Sequence, residues 1–347
     1  SAYINYLLMI LKQVQLSTKY KINSQEIKNA LKIVKPSNEA KKITQNLLSS
    51  KSRAIFLGHQ ILHLDDGDNI KLIAIHIAQA IEATFGLIPG YANSVGLNEL
   101  NLNSDNISTD KILSQKKEAH IMMNFDPSYD YHSPKKINAA LKNAKFNLAI
   151  SPYISDSFKG FDVVLPMTPF TETSGTYINM EKRIQSFSAV TPPFGQSRPG
   201  WKILRVLANF LQLEGFLYDS SEEVKADAMI ELDKKNEDNL KVFKPSKIRS
   251  GLEILNIIKA NDSDMIVRRA ASLHKNKDQS CCLINPTTML KEGLIDGQKI
   301  RISSSEAEVL INVKADENVC LDAVAIFGKK DETAFLGMDN KVKIKKA

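Results

Sequence analysis

Apolar positions recur along this chain with two different periods. Near the start Ile4, Leu7, Leu8 and Leu11 follow the i, i+3, i+4, i+7 spacing of an amphipathic helix. Ala54-Ile55-Phe56-Leu57 is a short continuous apolar run closed by Gly58, the pattern of a strand buried on both faces. Over 70–85 the apolar residues Leu72, Ile73, Ile75, Ile77, Ala78, Ala80 and Ile81 fall nearly all round, which predicts a helix buried on more than one side. Pro89-Gly90 marks a turn, and 93–103 reads as a polar loop. Strand candidates then alternate with helices: a strand at 120–123, a helix over 137–144, a strand at 147–150, a short helix within 155–160, and a strand at 161–165 ended by Pro166. Over 202–213, Ile203, Val206, Leu207 and Phe210 share one helical face. This alternation predicts βαβ units and a mainly parallel sheet, an α/β fold.

Between 220 and 250 charge takes over (Glu222, Glu223, Lys225, Asp227, Asp233, Lys234, Lys235, Glu237 and Asp238), as expected of a linker or a peripheral helical excursion. Beyond it the period shortens to two. Cys282-Leu283-Ile284 is a strand candidate; Asn285 can cap a helix with Pro286 at its first position and Gly293 just past its end. After the turn signal Asp296-Gly297 come Ile300 and Ile302, then Val309, Ile311 and Val313, in strand alternation. Strand, short helix, turn and paired strands predict a small barrel-like β domain. The resulting division is 1–116 and 117–219 as α/β domains, 220–265 as a charged linker, and 266–347 as the barrel-like domain.

Composition narrows the class. The chain has 347 residues, 43% of them hydrophobic, with 46 Lys+Arg against 39 Asp+Glu and a formal net charge of +7. That is a globular, mixed-charge chain with length for two or three domains. The densest basic run is Lys341, Lys343, Lys345 and Lys346, which reads as a solvated tail. No RNP-type aromatic motif or zinc-finger spacing accompanies it, so no nucleic-acid partner is expected. Cys281, Cys282 and Cys320 are too few for a disulfide framework, a cysteine zinc site or a four-thiolate iron–sulfur site, and fit a reducing compartment. No segment reaches the ~18 apolar residues of a membrane span, and the run at 4–11 lacks the basic flank of a signal peptide, so no membrane insertion is expected. The chain opens Ser1-Ala2 and enters a helix at once, as expected of a segment cut from a longer protein.

The most informative block runs from Phe161 to Trp201. A parallel strand ends at Pro166 and the chain enters a loop at the carboxyl edge of the sheet, where doubly wound folds hold ligands. Thr171-Glu172-Thr173-Ser174-Gly175-Thr176 offers hydroxyls and flexible N–H groups suited to phosphate, with Arg183 and Arg198 as counter-charges. The same groups can equally bond one another and lock a long loop onto the sheet. Elsewhere the signals are weaker. His59 and His63 have a metal-ligand spacing but lie beside Asp65-Asp66-Gly67 in what reads as a polar loop. His120 opens a strand and reads as a core or edge histidine. Cys281-Cys282 has only His274 and Lys275 as basic neighbours in sequence, too far along for an activated thiol. Gly58, Gly86 and Gly90 make no dinucleotide fingerprint.

With those residues in view, the block resembles the molybdopterin oxidoreductase superfamily, in which a strand ending DVVLP leads into E-x-x-G-T-x-x-N. Glu172, Gly175, Thr176 and Asn179 occupy those positions, followed by Arg183 and Gln185. With its continuation Gly195-Gln196-Ser197-Arg198-Pro199-Gly200-Trp201, it is similar to the large iron–sulfur subunits of bacterial NADH–quinone oxidoreductases (respiratory complex I). Ser52 to Gly58 and Gly90-Tyr91-Ala92-Asn93-Ser94-Val95-Gly96 resemble the third domain of that fold; Asn285-Pro286, Gly293 and Asp296-Gly297 resemble its C-terminal barrel. The resemblance implies Rossmann-like, mainly parallel sheets and a double-psi β-barrel-like end. It implies iron–sulfur clusters in a preceding N-terminal part, a scaffolding role for this part, and inactivity in isolation. It implies packing against those cluster domains and other peripheral-arm subunits, on the cytoplasmic side of the bacterial inner membrane. The alternative it leaves open is a pterin-dependent molybdenum enzyme of the formate dehydrogenase or nitrate reductase type. One departure is visible: Glu181-Lys182-Arg183 stands where many relatives have Glu-Gly-Arg, which argues against a bound pterin. No catalytic residue, metal ligand or bound cofactor is therefore expected in this part.

Overall fold

Of the stripe Ile4, Leu7, Leu8 and Leu11, all but the partly buried Leu7 are buried on the first helix, α1 (Ala2–Ser17), where Val14 joins them. The computed structural model describes residues 2–59, 61, 66–100, 102, 109–131, 133–232, 252–274, 281–328, 333, 336 and 341–346. Its contacts divide the chain into two units, Ser1–Leu102 with Thr176–Gln185 and Ala228–Ile248, and Asn103–Gly175 with Ser186–Asp227 and Arg249–Ala347.

In the first unit α1 is followed by α2 (Gln25–Ile33) and α3 (Asn38–Ser49), which the apolar pattern does not announce. Each begins at a serine: the Ser24 hydroxyl accepts from the amide of Ile27, and that of Ser37 from the amide of Ala40, satisfying a donor the helix itself leaves open. Strand β1 (Ala54–Gly58) leads through α4 (Gly67–Ala80) to β2 (Thr84–Ile88), and the two strands pair in parallel from Ala54 opposite Thr84 to Gly58 opposite Ile88. The expected helix over 70–85 is therefore two elements. Glu82, with φ 53°, turns the chain between them, and an all-round apolar run does not by itself separate helix from strand. Ile73, Ile77 and Ile81 complete the core with Leu11, Val14, Ile27 and Leu31. The expected polar loop at 93–103 contains a short helix, α5 (Ser94–Glu99); positions 101 and 103 lie outside the described residues.

The second unit opens with α6 (Thr109–Ser114) and then follows the predicted alternation: β3 (Ala119–Met123), α7 (Pro134–Asn143), β4 (Phe146–Ser151) and β5 (Val163–Pro166). The expected short helix within 155–160 is a single 3-10 turn, Asp156–Phe158. The three strands form a parallel sheet in the order β3-β4-β5, with β4 buried from Asn147 to Ser151 as a central strand should be. Beyond β5, β6 (Gly175–Ile178) and β7 (Ile184–Phe187) form a two-stranded sheet whose residues Thr176–Gln185 count with the first unit. Helix α8 (Gly200–Phe210) follows in the second unit, and then α9 (Ser221–Leu232), whose last residues from Ala228 again count with the first.

The charged stretch 220–265 is not the linker expected. It contains α9 and β8 (Leu252–Ile257), and β8 is a stave of the barrel, which therefore begins before 266. Residues 233–250 lie outside the described residues. The remaining elements are β9 (Cys281–Ile284), α10 (Pro286–Lys291), β10 (Lys299–Ser303), β11 (Glu308–Ala315), β12 (Ala323–Phe327) and β13 (Lys341–Lys346). Asn285 caps α10 through its side chain at 3.0 Å, and Gly293 follows at φ 66°, as the sequence indicates. The closed order β10-β11-β9-β12-β8-β13 surrounds Ile284, Ile300, Ile302, Val313, Val324 and Ile326. The lysine run expected as a solvated tail is thus a barrel strand, because Val342 is buried in the wall and β13 pairs with both β10 and β8.

Ion pairs tie the barrel's lead-in to the loop after β3. Arg268 meets Asp130 at 3.0 Å, and Arg269 meets the fully buried Asp126 at 3.5 Å. The Glu306 carboxylate accepts from the Ser133 hydroxyl at 2.7 Å and the Lys135 amide at 3.2 Å, at the start of α7. A carboxylate at a helix N-terminus satisfies open donors and meets the positive end of the helix dipole.

Candidate functional site

β5 delivers the chain to the carboxyl edge of the parallel sheet, and the segment around Arg198 returns to that edge. The Arg198 amide donates to Pro166 O at 3.2 Å, the Thr168 amide donates to Arg198 O at 3.0 Å, and Met167 bridges to Arg198. Between these two contacts lies the long loop that the sequence singles out.

Its polar groups are bonded to the loop itself and to its flanks. Glu172 sits in a 3-10 turn, and its carboxylate accepts from the Phe194 amide at 2.9 Å. Thr171 O accepts from the amides of Val190 and Thr191. The Thr173 hydroxyl donates to Ser174 O at 3.2 Å, and the Ser174 hydroxyl lies 2.7 Å from that of Ser221 at the start of α9. The Arg198 guanidinium donates to Ser197 O at 2.7 Å. Gly175 opens β6 where a Cβ would lie 2.6 Å from the Phe187 ring. The space that glycine leaves is filled by an aromatic side chain.

Thr176, Asn179 and Arg183 belong to the first unit. Asn179 shapes the turn between β6 and β7: its Oδ1 accepts from the amides of Glu181 at 3.0 Å and Arg183 at 2.9 Å. Lys182 occupies a left-handed conformation, φ 60°, which glycine adopts with less strain. A glycine at this turn would therefore relieve the backbone, and the lysine ammonium here reaches Glu99 at 2.8 Å. Arg183 is largely exposed, with Glu181 at 3.9 Å. The turn is held through Asn93, whose Oδ1 accepts from the Ile178 amide at 2.9 Å. The apolar pattern marks Asn93 only as loop; its place in Gly90-Tyr91-Ala92-Asn93-Ser94-Val95-Gly96 is the signal that could have found it. Gly96 is small for the same purpose, since a Cβ there would sit 2.3 Å from that oxygen.

In the second unit an open cleft of about 520 Å³ is lined by Glu172, Ser174, Arg198, Trp201, Asp219 and Ser221, among others. Glu172 and Arg198 are thus brought to one cleft. Asp219 pairs with Arg205 at 3.1 Å, and Lys202 stands 5.3 Å from the centre of the Trp201 ring. The lining carries two carboxylates, Glu172 and Asp219, against Arg198 and Lys202. The formal charges of this wall balance, and two of its hydroxyls are engaged, that of Thr173 with Ser174 O and that of Ser174 with the Ser221 hydroxyl.

The lesser candidates have structural surroundings. His59 packs edge-on against Tyr91 with ring centres 5.3 Å apart; its proposed companion His63 lies outside the described residues. His120 is buried on β3, and burial holds its imidazole below the ordinary histidine range. Cys282 is fully buried, which pushes its thiol well up and leaves it unreactive. Among the described residues no group of three or more His, Cys, Asp or Glu side chains is placed to hold a metal ion.

Comparison with known proteins agrees with this architecture. The family model for molybdopterin oxidoreductase matches residues 10–210. The NADH-ubiquinone oxidoreductase 75 kDa subunit of Reclinomonas americana is 25% identical over 188 residues, 52% of this chain and 26% of that one. A subunit of the NADH-quinone oxidoreductase of Shewanella oneidensis is 29% identical over 153 residues, 42% of this chain and 17% of its own length. A putative formate dehydrogenase of Staphylococcus aureus matches a shorter stretch, 37% identical over 75 residues, 22% of this chain and 8% of that one. The chain therefore spans about a quarter or less of the curated relatives it matches. Among solved structures, acetylene hydratase from Pelobacter acetylenicus superposes with a TM-score of 0.64 at 11% identity, over 98% of this chain and 66% of that one, which speaks for the fold alone. With parallel sheets, a closed barrel and a family match across more than half its length, this chain belongs to the molybdopterin oxidoreductase family.

Proposed function

We propose that this chain is a cofactor-free scaffold portion of the large iron–sulfur subunit of a bacterial complex I. The observation that carries the reading is the loop at the sheet edge, whose hydroxyls, carboxylate and amides bond one another. The fill of Phe187 beside Gly175 supports it, as does similarity to two NADH-quinone or NADH-ubiquinone oxidoreductase subunits. In this reading the parent complex moves electrons from NADH through flavin and iron–sulfur clusters to quinone, coupled to proton translocation. The clusters lie in other parts of the full-length subunit, since three cysteines here cannot assemble one. This portion braces those cluster domains and packs against other peripheral-arm subunits. It works at the cytoplasmic face of a bacterial inner membrane and is inactive alone. No helix among the described residues is long and apolar enough to cross a membrane.

Elemental analysis and pterin extraction on the natural full-length protein test the reading. The expected result is iron without molybdenum or tungsten, and no fluorescent pterin after oxidative extraction. About one molybdenum or tungsten per chain together with a pterin would overturn it. That result would establish the second reading, a pterin-dependent enzyme of the formate dehydrogenase type, which the formate dehydrogenase-like match favours.

A further inference from the structure

The strand β13 sets a run of lysines into a rigid wall. It pairs antiparallel with β10, so that Arg301 lies opposite Lys345 and Ser303 opposite Lys343. Side chains alternate along each strand: Ile300, Ile302 and Val342 are buried, while Lys299, Arg301, Lys343 and Lys345 stand exposed on the outer face. With strands about 4.8 Å apart and alternate residues about 7 Å apart, these four cations form one compact patch. On the other side of β10, Leu310 lies opposite Arg301 and Glu308 opposite Ser303. Glu308 pairs with Arg301 at 3.2 Å and accepts from the Ser303 hydroxyl at 2.9 Å, and on the far side of β13 Glu253 pairs with Lys341 at 3.5 Å. Among the described residues, Lys299, Lys343 and Lys345 are therefore the cations of this face in excess of its carboxylates.

Like charges directly opposite on neighbouring strands destabilise a sheet. The barrel core lies on the inner face and gains nothing from Lys345 standing against Arg301. An arrangement that costs stability without serving packing points to a partner that supplies the missing negative charge. We propose that the outer face of β10 and β13 is a docking surface for an acidic protein segment in extended conformation. In such a segment carboxylates recur at every second residue, the same spacing as the cations of a strand. Leu310 of β11, 48% exposed beside Arg301, adds an apolar contact along the edge of the face. The sequences of β10, β11 and β13 (KIRIS, EVLINVKA and KVKIKK) contain no aromatic residue on which a base could stack. The face also carries no amphipathic helix to insert among lipid headgroups.

The test uses the whole chain and three probes: a short peptide alternating Glu and Thr, a short DNA duplex, and vesicles rich in phosphatidylserine. Lys343→Glu with Lys345→Glu is compared with Lys28→Glu and Lys32→Glu, an equal charge change at exposed positions of α2. The expected result is salt-sensitive peptide binding that the barrel pair weakens about tenfold or more and the α2 pair no more than about twofold. Lys343→Gln with Lys345→Gln, which removes charge without reversing it, should fall between, and near-ultraviolet circular dichroism confirms that each variant is folded. Equal weakening by both reversed pairs would reduce the effect to net charge and overturn the proposal. Absence of peptide binding at low salt, or tighter binding of duplex or vesicles than of peptide, overturns it as well.

Discussion

Gly175→Ala separates the two roles a glycine can have in this loop. If Gly175 lets a ligand's phosphate approach the backbone, the substitution costs binding but leaves the protein's stability alone. The structure assigns it to the Phe187 ring instead. An added Cβ would lie 2.6 Å from the ring's Cζ, 3.0 Å from Cε1 and 3.4 Å from Cε2. Carbon atoms rest about 3.5–4.0 Å apart, so the ring must retreat by about 1 Å. Overpacking of this kind costs about 1–3 kcal/mol, and a ring at the end of a rotatable side chain belongs in the lower half of that range. Urea denaturation is the assay, followed by far-ultraviolet circular dichroism and by the fluorescence of Trp201, the chain's single tryptophan, which lines the neighbouring cleft. Gly175→Ala should lower stability by about 1–2 kcal/mol. Phe187→Leu alone loses packing, but the double variant should be more stable than the sum of the two by about 1 kcal/mol, because the smaller side chain makes room for the methyl. A neutral Gly175→Ala, or strict additivity in the double variant, would refute the assignment.

Two further outcomes follow from the same geometry. Glu306→Ala leaves the Ser133 hydroxyl and the Lys135 amide without their acceptor at the start of α7, and should cost about 0.5–2 kcal/mol in urea denaturation, whereas Glu306→Gln should recover part of it. His76 bonds the Tyr20 hydroxyl at 2.9 Å, and burial holds its imidazole below its ordinary value of 6.5. The unfolded chain therefore takes up that proton before the folded one does. Stability is fully present above about pH 6.5 and is lost as the pH falls through the folded value. The urea midpoint should decline between pH 7 and pH 5, and His76→Gln should flatten that slope; an unchanged slope in the variant would show that the imidazole does not contribute.

The sequence alone determined the elements whose pattern is local. The alternation at 120–165 predicts the β3-β4-β5 sheet, and Asn285, Pro286 and Gly293 bracket α10, because caps, turns and period are written in adjacent residues. The loop around Glu172, Gly175, Thr176 and Asn179 is legible as a family motif. What its groups bond to is not, because Phe194, Ser221 and Asn93 are distant in sequence. Signals of weak local contrast are equally hard to read. Ser24 and Ser37 cap helices whose apolar faces hold few residues, and the break near Glu82 lies inside an unbroken apolar run. The lysines of β13 show the limit most plainly. Val342 and Ile344 among four lysines are too little apolar surface to define a strand by themselves. Pairing with β10 and β8 supplies backbone hydrogen bonds that only the closed barrel can offer, and it turns a basic run of sequence into a patterned face.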